Sequence, residues 1–169
     1  MQNLKPSRNR DQAYVKSVIN CGDLDMRIAV DGTWFHQGTP IGRKELVKLF
    51  AGVLKREQDG SYWLETPVER GEITVEDAAF IALRADQQGN DWVFETNVDD
   101  QVRLDAAHPL RIFVDPKTGE PRPYITVRDG LEARLTRQVY YELVHSADEQ
   151  PDGRWTVHSG GHDWVVGWI

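Results

Sequence analysis

The sequence is short of nearly everything that advertises a chemistry. Cys21 is the single cysteine among 169 residues, so no internal disulfide can form and packing must hold the fold. Beside Gly22, Cys21 reads as a small, half-buried residue rather than a reactive thiol. No apolar run approaches the roughly 18 residues of a membrane helix, and the polar stretch Met1–Arg10 has no apolar centre of the signal-peptide kind. The expectation is a soluble, cytoplasmic protein with no membrane partner. Positive charge is in deficit, with 20 Lys and Arg against 27 Asp and Glu and a formal charge of −7. Such a surface repels phosphate backbones and argues against nucleic acid as a partner.

Catalytic signatures are equally scarce. There is no Gly-x-Ser-x-Gly elbow, no phosphate loop of the NTPase type, and no Cys/His nucleophile pair. The histidines at 36, 108, 145, 158 and 162 are scattered. His158, His162 and Asp163 superficially resemble a metal set, but an i, i+4 pair needs a helix and Ser159-Gly160-Gly161 calls for a turn. No metal and no cofactor is expected. Glu76-Asp77 and Asp99-Asp100 are neighbours in sequence; on a strand neighbours face opposite ways, so they read as solvated turn residues.

What is present is repetition. Residues 28–63 run strand, Asp31-Gly32, strand, Gly/Pro loop, amphipathic helix, Asp59-Gly60, and a strand containing Trp63. Residues 125–155 follow a similar order: strand, Asp129-Gly130, helix, Asp152-Gly153, and a strand containing Trp155. Asp-Gly suits the positive φ angles of tight turns. Hydrophobic residues at 40% and charged residues at 28% are ordinary for a globular chain, and the length allows two small lobes that bury roughly 70% of the unfolded surface. The expected fold class is α+β: two lobes, mostly antiparallel sheets each packed by a helix, with a repeated strand-turn-strand-helix-strand motif. Residues 1–10 read as a flexible tail, 11–77 as the first lobe and 78–169 as the second, without a flexible linker between them.

Periodicity supplies the elements. Asp11–Ile19 reads as a short helix, and Met26–His36 as a hairpin. In the first strong helix Leu46, Leu49, Phe50, Val53 and Leu54 form one apolar stripe, with Lys55 and Arg56 near its C-terminal end. Strands are expected at 62–66, 72–75, 79–85, 92–97, 102–105, 111–114 and 124–127. The second helix spans Leu131 to Val144, with Leu131, Leu135, Val139 and Leu143 as its inward ridge. Two strands, 154–158 and 164–168, close the chain, and most of the six tryptophans read as core residues.

Two clusters of residues suit an anion. The loop Gly38-Thr-Pro-Ile-Gly-Arg43 opens a helix whose unpaired N–H groups favour negative charge, with Thr39, Arg43 and Lys44 reinforcing it and His36 beside it. An ordinary turn, with Arg43 paired to a carboxylate of the other lobe, fits the same residues. Arg122, Tyr124, Thr126 and Arg128 alternate and so share a strand face, with Arg134 and Arg137 three apart on the following helix. Guanidinium forks there would hold a phosphate and Tyr124 would stack on a base. A ladder of surface ion pairs fits them too.

The string Asp31-Gly-Thr-Trp-Phe-His-Gln-Gly-Thr-Pro-Ile-Gly-Arg-Lys-Glu-Leu-Val-Lys-Leu-Phe50 resembles the bacterial domain-of-unknown-function family 1285. The resemblance continues through residues 62–69, 73–80, 108–111, 122–137 and 140–144, while 155–164 departs from it. It implies two lobes with repeated motifs, the second pleckstrin-homology-like, a site at the lobe interface for a nucleotide-like ligand, and a signalling role. The leading expectation is therefore a non-catalytic regulatory module holding a small anionic, nucleotide-like ligand between its lobes through Arg43, Arg122, Tyr124, Arg128 and Arg137, with His36 and Thr39 on the rim. The alternatives are a protein-interaction module that docks a protein partner, and an enzyme acting on a phosphorylated small molecule through His36 and Glu69.

Overall fold

A computed structural model describes residues 17–168. The expected tail, 1–10, and most of the helix expected over Asp11–Ile19 lie outside the described residues. Ile19 itself begins a strand.

Asp-Gly turns and short β-rich runs build two six-stranded mixed sheets and a three-stranded one. The first lobe contains β1 (Ile19–Ile28), β2 (Trp34–His36), β3 (Thr39–Pro40), α1 (Lys44–Gly52), β4 (Leu54–Arg56), β5 (Tyr62–Glu65) and β6 (Glu69–Val75). Its strands lie in the order β3-β2-β1-β6-β5-β4. Every pairing is antiparallel except β1 with β6, which is parallel. The second lobe contains β7 (Phe80–Gln88), β8 (Asp91–Thr96), β9 (Gln101–Arg103), β10 (Leu110–Val114), β11 (Pro121–Arg128), β12 (Leu131–Leu135) and α2 (Arg137–His145). Its sheet runs β10-β11-β12-β7-β8-β9, with β12 and β7 parallel. A third sheet of β13 (Asp148–Glu149), β14 (Arg154–Ser159) and β15 (His162–Trp168) follows α2.

The repeat is visible in the element order, β1 to β5 and β11 to β14, but its two copies are wired differently. In the first, the closing hairpin returns to the parent sheet; in the second it forms the separate three-stranded sheet. The buried serine Ser159 fixes that sheet in place. Its hydroxyl accepts the Trp92 N–H at 2.8 Å and donates to the Leu104 carbonyl at 2.7 Å.

Both helices are shorter than their periodicity suggests. Leu54, Lys55 and Arg56 belong to β4, and Leu49 is 67% exposed, so α1 packs through Val47, Phe50 and Ala51 instead. Leu131 and Leu135 lie on β12, where Leu131, Ala133 and Leu135 alternate inward; only Val139 and Leu143 are buried on α2. A spacing of four satisfies the two-residue period of a strand as well as the turn of a helix, which is why the two leucines mislead. Cys21 is exposed, not half-buried, and partial desolvation together with the Glu69 carboxylate pushes its thiol up. Trp34 and Trp92 are core residues, whereas Trp168 is 55% exposed.

One continuous core crosses the seam between the lobes, from Ile28 and Trp34 to Phe80, Phe94 and Ile125. Polar contacts reinforce the seam at several places. Arg128 donates to the carbonyls of Ala51 and Leu54 (3.3 Å for the latter) at the C-terminal end of α1. Lys44 and Lys48 grip Asp99 at 2.6 and 3.3 Å. Arg56 donates to the Gly130 carbonyl at 3.2 Å. Gly32, at φ +86°, brings the β1–β2 hairpin so close that a Cβ there would lie 2.6 Å from Ile81. Among the described residues no helix is long and apolar enough to cross a membrane.

Candidate functional site

The seven residues singled out in the sequence fall into separate places. His36 ends β2 on the rim of a small apolar cavity of about 230 Å³ between β1 and α1, lined also by Met26, Ile41 and Phe50. Thr39 faces it in register on β3 and is exposed. Arg43 precedes α1, exposed, and makes no capping hydrogen bond through its side chain. Its neighbour Lys44 is the residue that reaches the other lobe.

The arginine strand is already partnered. Arg122 pairs with Asp115 at 3.0 Å. Tyr124 donates to Asp77 at 2.6 Å, and Arg134, its cross-strand neighbour, pairs with the other Asp77 oxygen at 3.0 Å. The Arg111 guanidinium lies 4.5 Å from the Tyr124 ring centre, and Arg111 in turn holds Glu132 through two nitrogens. Burial, then the hydrogen bond to Asp77, pushes the Tyr124 phenol up to about 12. Arg128 lies beyond a register irregularity and serves the end of α1. These groups form a network along the seam, with the ring face of Tyr124 occupied by a cation rather than open to a base. Glu76 and Asp77 are not idle turn residues: Glu76 holds Arg27 and the Val30 amide, while Asp77 anchors the second lobe. Arg134 sits on β12 and Arg137 opens α2, so the two do not share a helix face as expected.

Arg137 does reach a cleft. A groove of about 560 Å³ opens between the tip of the β1–β2 hairpin and the start of α2. Val30 and Asp31 form its first-lobe wall; Ile81, Leu83, Pro121 and Pro123 form an apolar floor. The opposite wall is Arg134, Thr136, Arg137, Tyr140 and Tyr141, with Glu120 at the rim. Thr136 caps α2, its hydroxyl accepting the Val139 N–H. The Tyr140 hydroxyl is tied to the Val166 carbonyl at 2.7 Å, which leaves its ring to the groove. The Arg137 side chain is 75% exposed and, among the described residues, its ion-pair partner is Glu120, at 3.7 Å. Asp31 accepts the Thr33 amide, and that bond holds its carboxyl below the usual range.

Sequence reasoning missed most of this lining. The apolar residues come from a turn (Val30) and from i, i+2 pairs on two separate strands, Ile81 and Leu83 on β7 and Pro121 and Pro123 on β11, each too short a pattern to mark a site. Arg134 and Arg137 are the lining residues that stood out in the sequence as candidate ligand groups. His36 and Glu69 flank opposite ends of β1, on the order of 15 Å apart by strand spacings, too far to share a bound group. Among the described residues no group of three or more His, Cys, Asp or Glu is placed to hold a metal.

Comparison with known proteins gives two family matches. The description "Domain of unknown function (DUF1285), N-terminal domain" covers residues 18–78, and "Protein of unknown function (DUF1285), C-terminal domain" covers 79–166. A DUF1285 family protein from Silicibacter pomeroyi DSS-3 is 39% identical, with a TM-score of 0.83 over 97% of this chain and 91% of that one. Another from Shewanella baltica OS155 is 26% identical, with a TM-score of 0.58 over 71% of this chain and 90% of that one. No curated protein matches. With both of its halves matched, and a relative of the same fold along nearly its whole length, the chain belongs to the DUF1285 family.

Proposed function

We propose that this protein is a non-catalytic, small-ligand-binding module with a regulatory or signalling role, and that its ligand is a small anion seated in the groove between the β1–β2 hairpin and the start of α2. One observation carries the reading: a cleft within the size range of ligand pockets is walled by both lobes and carries a loosely partnered arginine over an apolar floor. A ligand there touches both lobes and so reports on their junction. The helix that closes the second lobe's sheet also supports the pleckstrin-homology-like comparison for that lobe.

The test is native mass spectrometry of the freshly purified protein, then a thermal-shift panel of nucleotides, phosphorylated metabolites and organic carboxylates. A stabilising ligand whose effect is lost in Arg137→Glu supports the groove. A flat panel at millimolar concentration counts against it. The reading that the protein docks another protein draws on a different observation: Tyr141 and Trp168, 59% and 55% exposed, edge a depression with Val144 and Trp155. Exposed aromatics of this kind anchor protein interfaces. Association that is lost in Trp168→Glu, measured by sedimentation, would favour it.

A further inference from the structure

Resting on the groove reading above, we infer that the ligand is an amphipathic molecule with a single negative charge, an aryl or alkyl carboxylate in class, rather than a nucleoside diphosphate or triphosphate. The charges lining the groove balance: Arg134 and Arg137 against Asp31 and Glu120. Arg134 is moreover committed to Asp77, which also accepts the Tyr124 hydroxyl. Asp31 is held ionised by its turn hydrogen bonds. Among the described residues of the lining, Arg137 is the one with charge to spare, because its contact with Glu120 at 3.7 Å is long and half exposed to water. One carboxylate can take the place of Glu120 on Arg137 while Glu120, half exposed at the rim, turns to water, so a single added charge is met by one cation. A second or third negative charge would add to Asp31 and Glu120 with no further unspent cation among the described residues of the lining, and like charges brought into one cleft repel.

The rest of the groove is mostly apolar, Thr136 and the tyrosine hydroxyls apart. Val30 and Leu83, from different lobes, are 50% and 51% exposed, and the rings of Tyr140 and Tyr141 flank them. Half-exposed aliphatic side chains facing each other across a cleft gain by covering one another with an apolar body. About 560 Å³ gives room for a ring system or a short acyl chain behind the charged head. A polyphosphate offers this surface nothing.

The test uses isothermal calorimetry on the full chain with four probes: 2-naphthoate, its neutral amide, ADP and inorganic pyrophosphate. The expected result is that 2-naphthoate binds more tightly than the other three. Arg137→Gln should weaken it by about tenfold, the loss of one charge-assisted hydrogen bond. Leu83→Gln should weaken the acid and the amide alike. Neither position is buried, so unchanged circular dichroism verifies the fold of both variants. Tighter binding of ADP or pyrophosphate, dependent on Arg137, overturns the single-charge inference while leaving the groove as the site. Binding of 2-naphthoate that Arg137→Gln leaves intact, or equal binding of its amide, also overturns it. No binding by any probe at millimolar concentration removes the inference and the groove reading together.

Discussion

Replacing Arg128 with Met should weaken the whole molecule, although the residue sits on an edge of charge that sequence alone assigns to ligand binding. Methionine keeps the apolar stem and deletes the guanidinium, which serves the carbonyls of Ala51 and Leu54 where α1 ends. Both of those residues are nearly inaccessible, 3% and 1% exposed, so water cannot readily take the place of the arginine. A hydrogen bond to a charged group contributes about 1.5–3 kcal/mol, and a cation at a helix C-terminus adds about 0.5 kcal/mol. Allowing for non-additivity, the loss should be about 3 kcal/mol, or a fall in Tm of about 6–12 °C for a chain of this length. Arg137→Met, at a 75% exposed side chain, should stay within about 0.5 kcal/mol. Urea titrations followed by tryptophan fluorescence measure both. A loss below about 1 kcal/mol for Arg128→Met, or equal losses for the two variants, would refute the assignment of Arg128 to the seam.

Three further outcomes are expected. Ser159→Ala strands the Trp92 amide and should cost about 2 kcal/mol in urea titration; an unchanged midpoint would show that the third sheet is held by other contacts. Gly32→Ala should cost about 2 kcal/mol, more than Gly130→Ala at about 1 kcal/mol: both have positive φ, but only Gly32 brings its Cβ against Ile81, and equal losses would remove that contact from the account. The Tyr124 phenol, raised to about 12 against about 10 in an unfolded chain, keeps its proton longer in the folded state. Its contribution is thus complete below pH 10 and is lost as pH climbs from 10 toward 12, so alkaline melts of Tyr124→Phe should show a shallower decline there than those of the wild type.

Local chemistry was the legible part of this fold. Each Asp-Gly pair marks a turn, and the order strand, turn, strand, helix recurs because those signals act over a few residues. Where a signal is ambiguous over that range, the reading fails. Leu131 and Leu135 fit either period, and β12 is a strand because β7 and β11 flank it, a fact that resides some fifty residues away in β7. Leu54 likewise leaves the helical stripe because β5 pairs with it. The candidate site suffers most from this. Whether an arginine is free or spent depends on carboxylates such as Asp77 and Glu132 that only the folded chain brings to Arg134 and Arg111. Of the arginines that stand out in the sequence, Arg137 alone reaches the groove with its charge largely unspent.

The two parallel pairings bear on how this chain is made. The first sheet closes when β6 returns beside β1, so all its strands lie between residues 19 and 75 and can assemble before the rest of the chain is synthesised. The second sheet cannot close until β12 arrives to flank β7, after a separation of about fifty residues, and such distant pairing is slow. During that interval the last turn of α1 waits without Arg128, and the hairpin tip at Gly32 has no Ile81 to rest on. The half made first is therefore finished by the half made second.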